Sequence, residues 1–380
     1  MKIMKRILSV ALATSFVLGV SYAMPIYAAG TLPVLTVEEA ARRAIRNNTD
    51  IANAQDRESV ADEAVRRAQN AVWDAVTDWA LTDANVSLMN AELSRSLNIR
   101  DIQARKENVE FQITRYFNTI LNMQADLELA KSNRGMANRE LEIARLRLSL
   151  GIASELDYAD ASLAVTRLET NIERLEIAIG NAFRDLNSAM GEGVNTLDRR
   201  HTLVLELNYE PVRVTNINSH RQRFVNESIV VARAENAVQM ASYRANYFST
   251  PHDPLTGIVM TNLSTYEELR VSENEAVRGV ADARQSVGEN VITMYNNLRN
   301  IELGIRAAEI EIDRLMRQLE VSETMLELGR GAAIEVERLR LEIAGRDNSL
   351  QQDKNDHAIL SIAFNNPSIM MGTPQDSARQ

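Results

Sequence analysis

The side chains that could carry chemistry are scattered through this 380-residue chain. Its four histidines are His201, His220, His252 and His357, and no two have the spacing of a metal-ligand pair. Cysteine is absent, which removes disulfides, thiolate metal sites and lipid attachment at a cysteine. There is no Gly-rich phosphate loop and no nucleophile elbow. Carboxylates are plentiful, but beside Lys and Arg at helical spacing they read as solvated faces and intrahelical pairs. No catalytic, cofactor or metal site is expected, and the chain is not expected to be an enzyme.

What must be positioned instead is a stretch that occurs twice. Residues 141–163 read LEIARLRLSLGIASELDYADASL, and residues 319–341 read LEVSETMLELGRGAAIEVERLRL. At an ungapped offset of 178, Gly151 meets Gly329, Leu148 meets Leu326, Leu156 meets Ile334 and Tyr158 meets Val336. Each copy predicts a helix, a break at Gly and a returning helix. Gly just past the last periodic residue supplies the left-handed conformation that ends a helix. Ser154, with Asp157 three residues on, has the pattern of a cap for the returning helix. The match runs backward, with YFNTI at 116–120 opposite MYNNL at 294–298. A period this long is a duplicated half-protein, not a solenoid unit.

Composition agrees with long helices. Only 5% of residues are aromatic, and Ala, Leu, Glu and Arg dominate. A net charge of −10 without a clustered basic patch argues against nucleic acid as a partner. The first residues read as an export signal over 1–29. Lys2, Lys5 and Arg6 precede an apolar run, and Ala23 and Ala29 end small-residue cleavage patterns.

The expected fold is predominantly all-α, built from duplicated long antiparallel helical hairpins. The first repeat covers 30–193, a crossover 194–219, the second repeat 220–366 and a disordered tail 367–380. Thr36 and Glu39 make a capping box for a helix running to about Leu81. A break is expected across 82–90, where Thr82, Asp83 and Asn85 are cap-type residues. From Met89 to Leu150, Ile102, Val109, Tyr116, Met123, Ala130, Ala137 and Ala144 recur every seven residues. Near 60 residues at about 1.5 Å each predict a rod of roughly 90 Å. A second stripe, Met136, Ile143, Leu146 and Leu150, predicts neighbours on both flanks, as in a wall of helices. The returning helix over 154–190 carries Val165, Ile172, Ile179 and Leu186. In the crossover, HTLVLEL at 201–207 could be one short strand. Residues 221–248 predict a helix, 249–264 a loop, 266–328 the second long helix and 332–365 its return. That last seam is more polar, with Arg346, Asp353 and His357 at heptad positions.

These hairpins resemble the TolC family of outer membrane efflux ducts. The resemblance rests on 145–158 (RLRLSLGIASELDY), on 186–191 (LNSAMG), on the second set over 295–341, and on the opening segment 35–54. It implies a homotrimer in the outer membrane whose helical tunnel docks onto an adaptor protein and an inner-membrane transporter; export to the cell envelope is what the signal over 1–29 implies, and no cofactor is expected. It places adaptor docking at the helical tips, Leu150, Gly151, Ala153 and Ser154 in the first half and Leu328, Gly329, Gly331 and Ala332 in the second. It places the tunnel entrance at Asp157, Asp160 and Glu335, with Arg338 where the family has a further acid. Glu335 has a second reading, as a first-turn carboxylate that favours the helix dipole.

One departure concerns the membrane barrel. A spanning strand needs about 9–11 residues. Neither 82–90 nor 249–264 has room for a spanning pair, so little or no β-barrel is expected. The functional expectation is the exit duct of an envelope efflux system. The alternative is a secreted helical structural or binding protein that keeps the fold without a channel.

Overall fold

The computed structural model describes residues 32–246 and 263–369. Strand β1 (Val34–Thr36) leads into α1 (Val37–Asn47), α2 (Thr49–Asp74), α3 (Asp78–Ser149) and α4 (Glu155–Ala189). A 3₁₀ turn at Val194–Thr196 and strand β2 (Thr202–Val204) cross to α5 (Ile217–Glu227), α6 (Ile229–Asn246), α7 (Leu263–Glu327) and α8 (Ala333–Asn365). The fold is predominantly α-helical. Its one sheet among the described residues is β1 paired in parallel with β2, Leu35 opposite Leu203. The expected signal over 1–29, most of the 249–264 loop and the tail beyond 369 lie outside the described residues.

Several boundaries differ from the sequence expectation, each for a local reason. The single helix expected from Leu35 is broken at Asn48, whose extended backbone (ψ 116°) and side chain cap α2 by accepting the Ile51 N–H at 3.0 Å. The break expected across 82–90 falls instead at Ala75–Thr77. Thr77 is extended (φ −118°, ψ 152°) and its hydroxyl accepts the Ala80 N–H at 3.2 Å. Thr82, Asp83 and Asn85 therefore sit inside α3, a helix of 72 residues and about 108 Å. The expected tail also begins too early at Pro367. Ser368 O accepts a hydrogen bond from Asn108 at 2.7 Å, and Ile369 is buried.

Apolar heptads dictate the pairing within each half. Along α4, Val165, Ile172, Ile179 and Leu186 are buried against α3, which offers Ile113, Ile120, Ala130 and Ala137. The same holds for α8, where Val336, Leu350 and Phe364 face Leu298, Ile305 and Leu315 of α7. Each buried Val, Ile, Leu or Phe among them stabilises the hairpin by about 1.5–3 kcal/mol. His357 occupies the Val336–Leu350–Phe364 row and is fully buried, whereas Arg346 and Asp353 face solvent.

The two hairpins meet along α3 and α8, and this seam is polar. Asn348 and Gln352 both donate to Asp126 at 2.8 Å, Asn118 donates to Asp356 at 3.0 Å, and Asn366 donates to Glu107 at 3.0 Å. The long helices thus form a wall in the order α4–α3–α8–α7, with no substantial packing of α4 on α7. Where each return helix ends, a hydrophobic waist forms. In the first half Phe117, Phe183, Leu186 and Met190 close over Leu35 of β1, and in the second Phe364, Val291 and Leu298 close over Phe224 of α5.

Candidate functional site: the helical tips and the cleft between them

Both tips are built by the same backbone device. At the first, Gly151 has φ 68°, its N–H reaches Leu148 O at 3.0 Å, and the Ile152 N–H reaches Arg147 O at 2.9 Å. At the second, Gly329 has φ 71°, its N–H reaches Leu326 O at 2.9 Å, and the Arg330 N–H reaches Met325 O at 2.8 Å. These paired bonds satisfy the last helical carbonyls and turn the chain sharply.

The returning helices start differently. Ser154 caps α4 in a reciprocal box: its hydroxyl accepts the Asp157 N–H at 3.2 Å, and Asp157 Oδ2 accepts the Ser154 N–H at 2.8 Å. Those bonds from Ser154, backbone first, hold the Asp157 carboxyl below the usual aspartate range. Ala332, opposite Ser154 in the repeat, caps α8 with no side-chain bond. Gly331, opposite Ala153, packs so tightly that a Cβ there would lie 2.7 Å from Leu326 N.

The tips also present different surfaces. Leu146, Leu150, Ile152 and Leu156 are all more than 60% exposed at the first tip. Arg330 stands where Ile152 stands in the first copy, leaving Leu328 as the apolar point of the second.

Between the tips lies a cleft of about 580 Å³. It brings together Ala153, Asp157, Glu335 and Arg338, with Ile143, Ile152 and Ile334 as its apolar lining. Arg338 spans it, bonding Glu140 of α3 and Glu335 of α8, each at 2.7 Å. A second cross-hairpin ion pair, Arg139 with Glu337, lies on the same seam. Asp160 is exposed and lies outside the cleft, as do Leu150, Gly151, Ser154, Leu328, Gly329, Gly331 and Ala332. Sequence reading missed Glu140, although its partner Arg338 lies 198 positions away at a matching level of the seam. Exposed pairs of this kind contribute only about 0–1 kcal/mol each, so the clasp sets register more than stability.

A Cβ on Gly329 would meet nothing within 4 Å, so Gly329→Ala isolates the cost of the left-handed backbone. The expected loss is about 1–2 kcal/mol, confined to the second tip. Hydrogen exchange should show faster opening around 326–332 and no change at the waist.

With the wall and its tips established, the chain has a TolC-type fold. Its sequence matches no family model and no curated protein. Its structure is similar to that of a membrane protein from Pseudomonas aeruginosa, at 12% identity and a TM-score of 0.64, covering 91% of this chain and 96% of that one. The outer membrane protein VceC of Vibrio cholerae aligns at 11% identity and a TM-score of 0.64, over 87% and 95%. The CmeC outer membrane channel of Campylobacter jejuni aligns at 12% and 0.60, over 90% and 88%. Among the described residues no helix is long and apolar enough to cross a membrane.

Proposed function

We propose that three copies of this chain close into a helical duct of an envelope export system, with the tips docking an adaptor and an inner-membrane transporter. The observation that carries this reading is a contact left half-made by the duplication. In the repeat α7 and α8 are the equivalents of α3 and α4. Within the chain α3 packs on α8, yet the equivalent contact, α7 on α4, is not substantially made. A neighbouring copy supplies it.

The two open edges carry the side chains for that contact. On α4, Leu156, Leu163 and Ile177 lie on the flank opposite the row that packs on α3, and they are 69%, 45% and 59% exposed. On α7, Leu303 and Ile310 hold the equivalent flank, 57% and 70% exposed. Rows at helical spacing mark a packing face, not random surface. Because the two edges are unlike, their contact is head-to-tail, and such contacts close into rings when the rotation permits. The number three, the adaptor and the transporter come from the TolC-type likeness.

The test is the mass of the signal-free protein by light scattering, with and without detergent. Wild type is expected as a stable trimer. Leu163→Glu and Ile310→Glu each bury an unpaired charge at the joint and are expected to weaken assembly at least about tenfold with helicity intact. A wild-type monomer in both conditions would sink the proposal.

A second reading has its own support. Ala75–Thr77, only three residues, joins α2 to α3 where the family would place a strand pair. That favours a secreted helical structural or binding protein that keeps the fold without forming a membrane channel. Solute conductance in reconstituted bilayers separates the two.

A further inference from the structure

The three described histidines are far apart in sequence, yet all sit at the waist. Two have protein partners. His220 Nε2 lies 3.0 Å from Phe364 O with its ring stacked on Phe364, and His357 Nε2 lies 3.3 Å from Glu302. His201 is different. It is 4% exposed, and neither ring nitrogen has a hydrogen-bond partner.

His201 lies in the first half of the crossover, immediately before β2, where the Thr202 N–H bonds Pro33 O at 3.1 Å. The charged groups facing it are Glu39 and Arg43 of α1, Glu192 in the turn after α4, and Arg199 of the crossover itself. Neither β1 nor β2 carries a titratable side chain. Glu192 is already shared, 3.6 Å from Arg43 and 4.0 Å from Arg199. A cation at His201 would thus be buried near two guanidinium groups, with both facing carboxylates already engaged, Glu192 by Arg43 and Arg199 and Glu39 by Arg43. The neutral ring is tolerated there; the charged ring is not.

We propose that His201 is an acid-operated latch that holds β2 on β1 when neutral and releases that end of the crossover when protonated. The far end of the crossover stays fastened, because the Val212 N–H donates to buried Glu302 at 2.7 Å. Acid therefore loosens the first hairpin's return end and leaves the second closed.

The direction of the linkage follows from burial. Desolvation holds the His201 imidazole below the ordinary histidine range, Glu192 pulling the other way and Arg199 and Arg43 adding to the depression. The released form thus binds its proton at a higher pH than the latched form. The latch is fully effective above about pH 6.5 and weakens as pH falls toward the latched form's lower value, by up to about tenfold per pH unit.

The test is hydrogen exchange of the full chain between pH 7.5 and 5.0, corrected for intrinsic rates. Peptides covering 34–36 and 201–204 report the latch, and peptides at Val212 and inside α4 serve as references. In wild type, protection at both latch segments is expected to fall about tenfold or more while the references hold. His201→Phe, which cannot take a proton, should flatten that dependence. Glu192→Gln keeps the histidine and removes the carboxylate that favours its cation, so the fall should become steeper. A wild-type latch indifferent to pH, an unchanged fall in His201→Phe, or an unchanged or shallower one in Glu192→Gln would each overturn the proposal.

Discussion

Glu302→Leu is expected to destabilise the chain by about 3–5 kcal/mol, as breaking a buried charged network does. Glu302 is 1% exposed on α7, and three groups converge on its carboxylate. The Val212 N–H is 2.7 Å from Oε1, His357 Nε2 is 3.3 Å from the same oxygen, and Arg299 bonds Oε2. Leucine fills the space but leaves the Val212 N–H unpaired. It also leaves His357, whose Nδ1 already has no partner, without any. Each orphaned buried group costs about 1–3 kcal/mol. The Tyr209 ring packs edge-on against His357 at 4.8 Å, so the crossover segment that carries it should loosen as well.

The duplication supplies an internal control. Glu302 is opposite Gln124 in the first half, which is only half-buried. Gln124→Leu is expected to cost about 0.5 kcal/mol, the scale of a surface change. Glu302→Gln keeps an oxygen for the Val212 N–H and gives up the charge, at about 1–2 kcal/mol. Denaturant midpoints should therefore rank Glu302→Leu worst, Glu302→Gln next and Gln124→Leu near wild type. Equal losses from the two leucine substitutions would show that Glu302 anchors nothing.

The elements legible in the sequence were those set by long-range periodicity. The heptads of α3, α4 and α7 fixed their pairing, and Gly151 and Gly329 marked both tips at the positions where φ is positive. Short elements left no such signal. A three-residue strand such as Val34–Thr36 has no measurable alternation, and it exists because β2 lies beside it. The breaks at Asn48 and Thr77 depend on one side chain folding onto one N–H, and cap-type residues at 82, 83 and 85 look equally suitable. Polar contacts between halves were also invisible. His357 stands in a heptad row and reads as a blemish until Glu302, on another helix, is seen beside it. The Arg338 clasp at the cleft likewise needs Glu140, placed by a pairing of α3 with α8 that no local pattern encodes.

Gly191→Ala should be nearly as damaging as Glu302→Leu, at about 3–5 kcal/mol, although it adds one methyl group. Gly191 ends α4 with φ 73°, and its turn repeats the bonding of the tips: its N–H reaches Ser188 O and the Glu192 N–H reaches Asn187 O, both at 2.9 Å. The left-handed conformation alone costs an alanine about 1–2 kcal/mol, which is all that Gly329→Ala incurs. The surroundings differ. A Cβ on Gly191 would fall 2.4 Å from Asn47 Cβ, an atom fixed to the backbone of α1 that cannot swing aside. Relieving that overlap moves α1 away from α4, which adds about 1–3 kcal/mol. It also stretches the 2.8 Å bond from Asn47 Nδ2 to Met190 O, worth about 1 kcal/mol more. The mechanism has a signature in a double-mutant cycle. Asn47→Gly removes the obstructing Cβ and the amide donor, so Gly191→Ala in that background should cost only its backbone strain, and the two changes should couple by about 2–4 kcal/mol. If Gly191→Ala costs no more than Gly329→Ala, or if the two sites behave additively, α1 does not rest on this turn. The seat of the crossover beside Glu192 would then have to be sought elsewhere.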